Sequence, residues 1–104
     1  RFQNITCEGE NGIFLRGSDD NFIEDISFEN ISLVLEKNSK WEIEGYDIRP
    51  CQGDGNLRRK ICGVYGEYAK NLTFKNVKVE ARESILPYYD KEMEFKDTDN
   101  VSIQ

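Results

Sequence analysis

A chain of 104 residues carries 14 basic and 20 acidic side chains, no histidine and a net charge of −6. That length fits one domain, and one this small buries only about 60–65% of the surface its unfolded form exposes. The 38% hydrophobic content contains no run near the ~18 apolar residues of a membrane helix, and the acidic balance excludes the broad basic face that displaces counterions from nucleic-acid phosphates.

The first predicted strand lies in QNITCEG, from Gln3 to Gly9. A second strand-like run follows in Gly12-Ile-Phe-Leu-Arg16, with Arg16 on the parity opposite Ile13 and Leu15. Arg16 therefore projects outward, where a guanidinium binds a carboxylate. Gly17-Ser-Asp-Asp-Asn21 has turn composition. Asp19 and Asp20 are carboxylates of the type glycosidic hydrolysis uses in pairs, but neighbours in a strand point to opposite faces, so the turn is the better reading.

Next comes EDISFENISL, from Glu24 to Leu33, which recurs as KNLTFKNVKV from Lys70 to Val79. Ile26, Phe28 and Ile31 alternate with Ser27 and Glu29, and Leu72, Phe74, Val77 and Val79 with Thr73, Lys75 and Lys78. Period two marks a strand with one buried face. The Glu-Asn and Lys-Asn pairs interrupt each phrase, and Asn tolerates the left-handed backbone of a sharp corner. Ile31, Leu33 and Leu35 continue the alternation.

From Lys37 to Cys62 the pattern stops, and a long loop excursion is expected over 37–62. It holds Trp41, Tyr46 and Arg49, side chains that stack on and hydrogen-bond to sugars or planar groups. The alternative is a loop whose aromatics pack back on the flank. Arg58-Arg59-Lys60, the one basic cluster, reads as solvated loop. Gly63 to Tyr68 supplies a further strand. Ser84 to Phe95, interrupted by Pro87, reads as loop or short helix. Asp99 to Gln104 repeats the strand phrase a last time.

Asn4, Asp25, Asn71 and Asn100 mark the four copies, at intervals of 21, 46 and 29 residues. The first fits one turn of a parallel β-solenoid, whose units run about 20–30 residues, and the second fits two turns or one with an excursion. One turn cannot bury its own apolar face, but stacking like on like buries it and aligns Asn over Asn in hydrogen-bonded ladders. Hairpin stacking is disfavoured, because the flanks of Asn11-Gly12 and Asp54-Gly55 do not match as paired strands. The fold class is thus all-β, a solenoid segment of about three to five coils spanning residues 1–104. Asn4, Asn30, Asn71 and Asn100 also begin glycosylation triplets, and are read instead as corner residues packed in the stack.

Cys7 is expected to be a buried thiol packed as a small hydrophobe. Cys51 and Cys62 flank a Gly-rich stretch and would form a disulfide in an exported chain, or stay reduced otherwise. With no His and no C-x-x-C, a zinc site is disfavoured and a Ser-His-Asp triad cannot be built. No cofactor is expected.

NGIFLRGSDDNFIEDISFENISL resembles the C-terminal coils of glycoside hydrolase family 28, the polygalacturonase-like enzymes, and KWEIEGYDIRPC is similar to a loop of members from gut-type bacteria. The likeness covers about Phe2 to Ala81. It implies a right-handed parallel β-helix of the pectin-lyase type, in a secreted or periplasmic protein that hydrolyses pectin-type polysaccharide with inversion. It places Arg16 at the family's substrate-binding Lys, and Tyr65 at an active-site Tyr of a late coil. Phe14 stands where the family has Arg, and the family's N-T-D, D-D and G-H-G motifs are missing from this chain.

The resemblance therefore implies a C-terminal piece of a longer enzyme that lends cleft wall, not catalytic carboxylates. Its candidate substrate-binding residues are Arg16, Trp41, Tyr46, Arg49 and Tyr65. Its expected partners are an oligogalacturonide-like substrate and upstream coils of its own chain. The isolated chain is expected to self-associate, with no nucleic acid or membrane as partner. The rival reading is a non-catalytic carbohydrate-binding or structural solenoid.

Overall fold

Alternating apolar and polar residues become strands because one face of each can be buried and the other wetted. The computed structural model describes residues 1–40, 45–47 and 56–104, with backbone alone at 45–47 and 56–58. The strands are β1 (Phe2–Gly9), β2 (Ile13–Arg16), β3 (Ile23–Leu35), β4 (Gly45–Asp47), β5 (Asn56–Arg58), β6 (Val64–Ala81) and β7 (Met93–Ile103). A 3₁₀ helix, Glu83–Tyr88, precedes β7. The fold is all-β, and its main sheet is a curled array of parallel strands.

β6 is the spine of that sheet. β2 and then β3 lie along one of its edges, β7 lies along the other, and β1 pairs with β3. The registers superpose like residues. Phe2, Phe28, Phe74 and Ile103 share one column, and Ile26, Leu72 and Val101 share another. The Phe2 and Phe28 rings stack at 4.9 Å and those of Phe28 and Phe74 at 5.2 Å, interplanar angles 10° and 1°. Those separations are close to the spacing of neighbouring strands, so each ring lies almost flat on the ring of the next pass. Phe28, Ile31, Leu33, Val64, Ala69, Leu72 and Phe74 form the main core.

The ladder corners are asparagines, with Asp25 ending one ladder, but their alignment differs from the prediction. Asn4 stacks on Asn30, not on Asp25: the Nδ2 of Asn30 donates to Asn4 Oδ1 at 3.0 Å, and that of Asn76 to Asn30 Oδ1 at 2.9 Å. A second ladder runs from Asn100 to Asn71 (2.8 Å) and from Asn71 to Asp25 (3.1 Å). Each of the two long phrases carries two ladder corners five residues apart, Asp25 and Asn30 in one and Asn71 and Asn76 in the other, and the first phrase matches the second corner. The interval of 21 residues is therefore not the stacking repeat; Phe2 pairs with Phe28. All six residues have φ between 54° and 59°, a region that Asn and Asp enter more readily than other non-glycine residues. The four triplet asparagines are all ladder members.

One other expectation changes. Cys7 is exposed, because among the described residues no strand pairs with the far edge of β1. It helps line an apolar hollow of about 280 Å³ with Phe2, Ile5, Ile13, Leu15 and Phe28. Within the excursion, β4 and β5 form an antiparallel ladder with Tyr46 opposite Leu57. The strands that stack are all parallel, so hairpins are not the stacking unit, as expected. The segment after Ser84 is a 3₁₀ helix whose Ile85 is fully buried, before β7 begins. Ser18 and Asn21 exchange backbone hydrogen bonds at 3.2 and 3.1 Å, which makes Asp19-Asp20 the tip of a tight turn, as read.

Gly12 shows why β2 starts where it does. A Cβ there would lie 2.0 Å from the Gly63 carbonyl oxygen, which accepts from the Ile13 N–H at 2.8 Å. Only glycine admits that approach.

Candidate functional site

Residues of one parity in β2, β6 and β7 fill the core, so those of the other parity share the opposite face. There Phe14, Tyr65 and Glu94 form one row across the strands, and Arg16, Glu67 and Lys96 the next. Tyr68 and Asp97, with φ of 53° and 51°, turn β6 and β7 immediately beyond the second row.

Arg16 Nε donates to Glu67 Oε1 at 2.8 Å, and Lys96 Nζ lies 3.9 Å from Glu67 Oε2. Side-chain exposure is 7% for Glu67, 35% for Arg16 and 67% for Lys96, so a buried carboxylate sits beneath two reachable cations. The Glu67 hydrogen bond holds the Arg16 guanidinium even more firmly charged than usual. Tyr65 is almost fully buried, with the Phe14 ring at 5.5 Å and the Arg59 guanidinium 4.6 Å over its own ring. Burial, then the Glu67 charge, push the Tyr65 hydroxyl above its ordinary pKa.

Arg59 organises the other side. It donates to Glu94, lies 3.4 Å from Asp90 Oδ2, and contacts the Cys62 Sγ at 3.5 Å. The expectation of a solvated loop at Arg58-Arg59-Lys60 is corrected at Arg59, because Tyr65, Glu94 and Asp90 converge on it. The Arg59 hydrogen bond holds the Glu94 carboxyl below its usual range, while burial pushes the Cys62 thiol up. Cys62, Asp90 and Glu94 present ligand atoms within 4.8 Å of one another, an arrangement that could hold a metal ion. Arg59 already contacts all three, so an ion there would have to displace it.

The structure brings Arg16 and Tyr65 onto one face from positions 49 residues apart. Tyr46 lies in β4, opposite Leu57. Trp41, Arg49 and Cys51 lie outside the described residues, and with them the Cys51–Cys62 pairing. Glu67, Arg59, Glu94 and Lys96 are members of the face that the sequence reading missed. Parity alone assigns Glu67 to the face of Tyr65; Arg59 carries no comparable signal, because it lies outside the repeat.

Chemically, this face can hold a polar ligand through Arg16 and Lys96. Glu94, with its lowered pKa, is the reverse of the raised carboxyl that a general acid needs. A scan of family profiles, a search of curated proteins and a search of solved structures each returned no match.

Proposed function

We propose that this chain is a C-terminal section of a right-handed parallel β-helix from a polygalacturonase-like glycoside hydrolase, acting on pectin-type polysaccharide outside the cytoplasm. It contributes cleft wall, and the acid and base come from other coils of the same protein. The observation that carries this reading is that Arg16 and Tyr65, the two positions the resemblance singles out, share the face of adjacent strands opposite the main core, Arg16 exposed and Tyr65 buried. The stacked registers and the two asparagine ladders support the β-helix part of it.

The test is reducing-sugar release from polygalacturonate, by this chain and by the full-length product of its gene. Release by the long product alone supports the reading. Release by neither favours the second reading, a non-catalytic carbohydrate-binding or structural solenoid. One observation already favours that alternative: Glu67 and Glu94, the carboxylates in the face, are each engaged by a cation. Release by the short chain would mean that carboxylates in these 104 residues do the chemistry.

A further inference from the structure

Resting on the second reading above, a non-catalytic carbohydrate-binding solenoid, we infer that this face takes neutral or esterified sugar units in preference to free uronates, and that Glu67 determines the preference. Among the described residues, four cations, Arg16, Arg59, Lys91 and Lys96, lie on or beside the face. Each is within 4 Å of a carboxylate: Arg16 and Lys96 of Glu67, Arg59 of Glu94 and Asp90, and Lys91 of Glu94 at 3.4 Å. The short Arg16–Glu67 contact is the decisive one, because the Glu67 side chain is only 7% exposed and accepts from Arg16 Nε at 2.8 Å.

A uronate carboxylate arriving at Arg16 has two options. It can displace Glu67 and leave a buried carboxylate short of its best partner, or it can sit beside Glu67 and meet like charge. A hydroxyl or an ester carbonyl meets neither obstacle. Arginine has five N–H donors, so the guanidinium still offers N–H groups to a neutral acceptor while Nε holds Glu67. Phe14, partly exposed in the adjoining row, adds an apolar surface suited to sugar C–H groups and not to a carboxylate.

The test uses one sugar backbone in two charge states, an oligogalacturonide of fixed length as the free acid and as its full methyl ester. Each is titrated into the ¹⁵N-labelled chain. The ester is expected to shift Arg16 Nε–H and the β2, β6 and β7 amides, and to bind at least about tenfold more tightly than the acid. Glu67→Gln is expected to reverse that order by tightening the acid, with the ester changed less than about twofold. For wild type alone, whatever the fate of the variant, weak acid binding is expected to change little with salt, since each of these four cations already lies beside a carboxylate. A wild-type preference for the acid, a steep salt dependence, or an unchanged order in folded Glu67→Gln would overturn the inference and leave the polysaccharide reading standing. Binding of neither form would overturn the reading and the inference together.

Discussion

At the scale of single residues, the corner asparagines do two jobs that one substitution can separate. Asn71 holds φ at 56°, donates to Asp25 and accepts from Asn100. Alanine loses both ladder bonds and pays the left-handed penalty of roughly 1–2 kcal/mol, and each net hydrogen bond adds about 0.5–1.5 kcal/mol before allowance for solvent. Asn71→Ala is therefore expected to cost about 2–3 kcal/mol in urea unfolding. Asn71→Gly should recover the backbone part and isolate the ladder. Equal losses for the two variants would show that the ladder alone matters. The Arg59–Glu94 contact makes a second residue-level prediction. The Glu94 pKa is depressed in the folded chain from an ordinary 4.5. Its stabilisation is then present above that pH and is lost as acid protonates the folded carboxylate. Thermal denaturation across pH 2–7 should show the melting temperature falling below about pH 4.5, and Glu94→Gln should flatten that fall.

At the scale of elements, stacking sets the energetics. Phe74 is fully buried between Phe28 on β3 and Phe95 on β7, whose ring lies at 5.5 Å. Truncating such a ring in a core costs about 3–5 kcal/mol. For a small domain that is a large part of the total, so Phe74→Ala is expected to abolish the cooperative thermal transition, and Phe74→Leu to lower its midpoint and keep it. The same truncation at Phe2, which is 47% exposed at the end of the same column, should cost less than half as much. Similar losses at the two positions would argue that β1 is covered in solution. Gly66 belongs to the same element logic. A Cβ there would lie 2.9 Å from Phe95 Cδ1, so the missing side chain on β6 leaves room for a ring on β7.

At the scale of the whole molecule, the sheet is open at β1. Phe2, Ile5 and Cys7 lie on a strand that, among the described residues, has one paired neighbour, and they line the apolar hollow. An unpaired, half-apolar edge is a template for another strand. The chain is expected to self-associate, with sedimentation velocity showing a dimer or larger species that grows with concentration. A sharp monomer at high concentration would contradict this. The exposed Cys7 gives an independent probe, since its reaction with a thiol reagent should slow as association covers β1.

The strand phrases, their apolar faces and the use of asparagine at corners are legible in the sequence. Each follows from local rules: alternation of period two, and the ease with which Asn enters the left-handed region. Arg16 pointing outward was legible for the same reason. Which corner stacks on which was not, because Asn4 can align with either of two corners in the next phrase, and only the packing of Phe2 on Phe28 selects Asn30. The composition of the site was legible in part. Parity places Tyr65 and Glu67 on one face, yet the pairing of Arg16 with Glu67 depends on a register set 51 residues away. Arg59 lies outside every repeat, and its position over Tyr65 is fixed by charge and ring partners brought together only in three dimensions. The sequence by itself determined what each pass of the chain looks like. The tertiary structure decided how the passes align, because that choice rests on contacts between residues far apart in the chain.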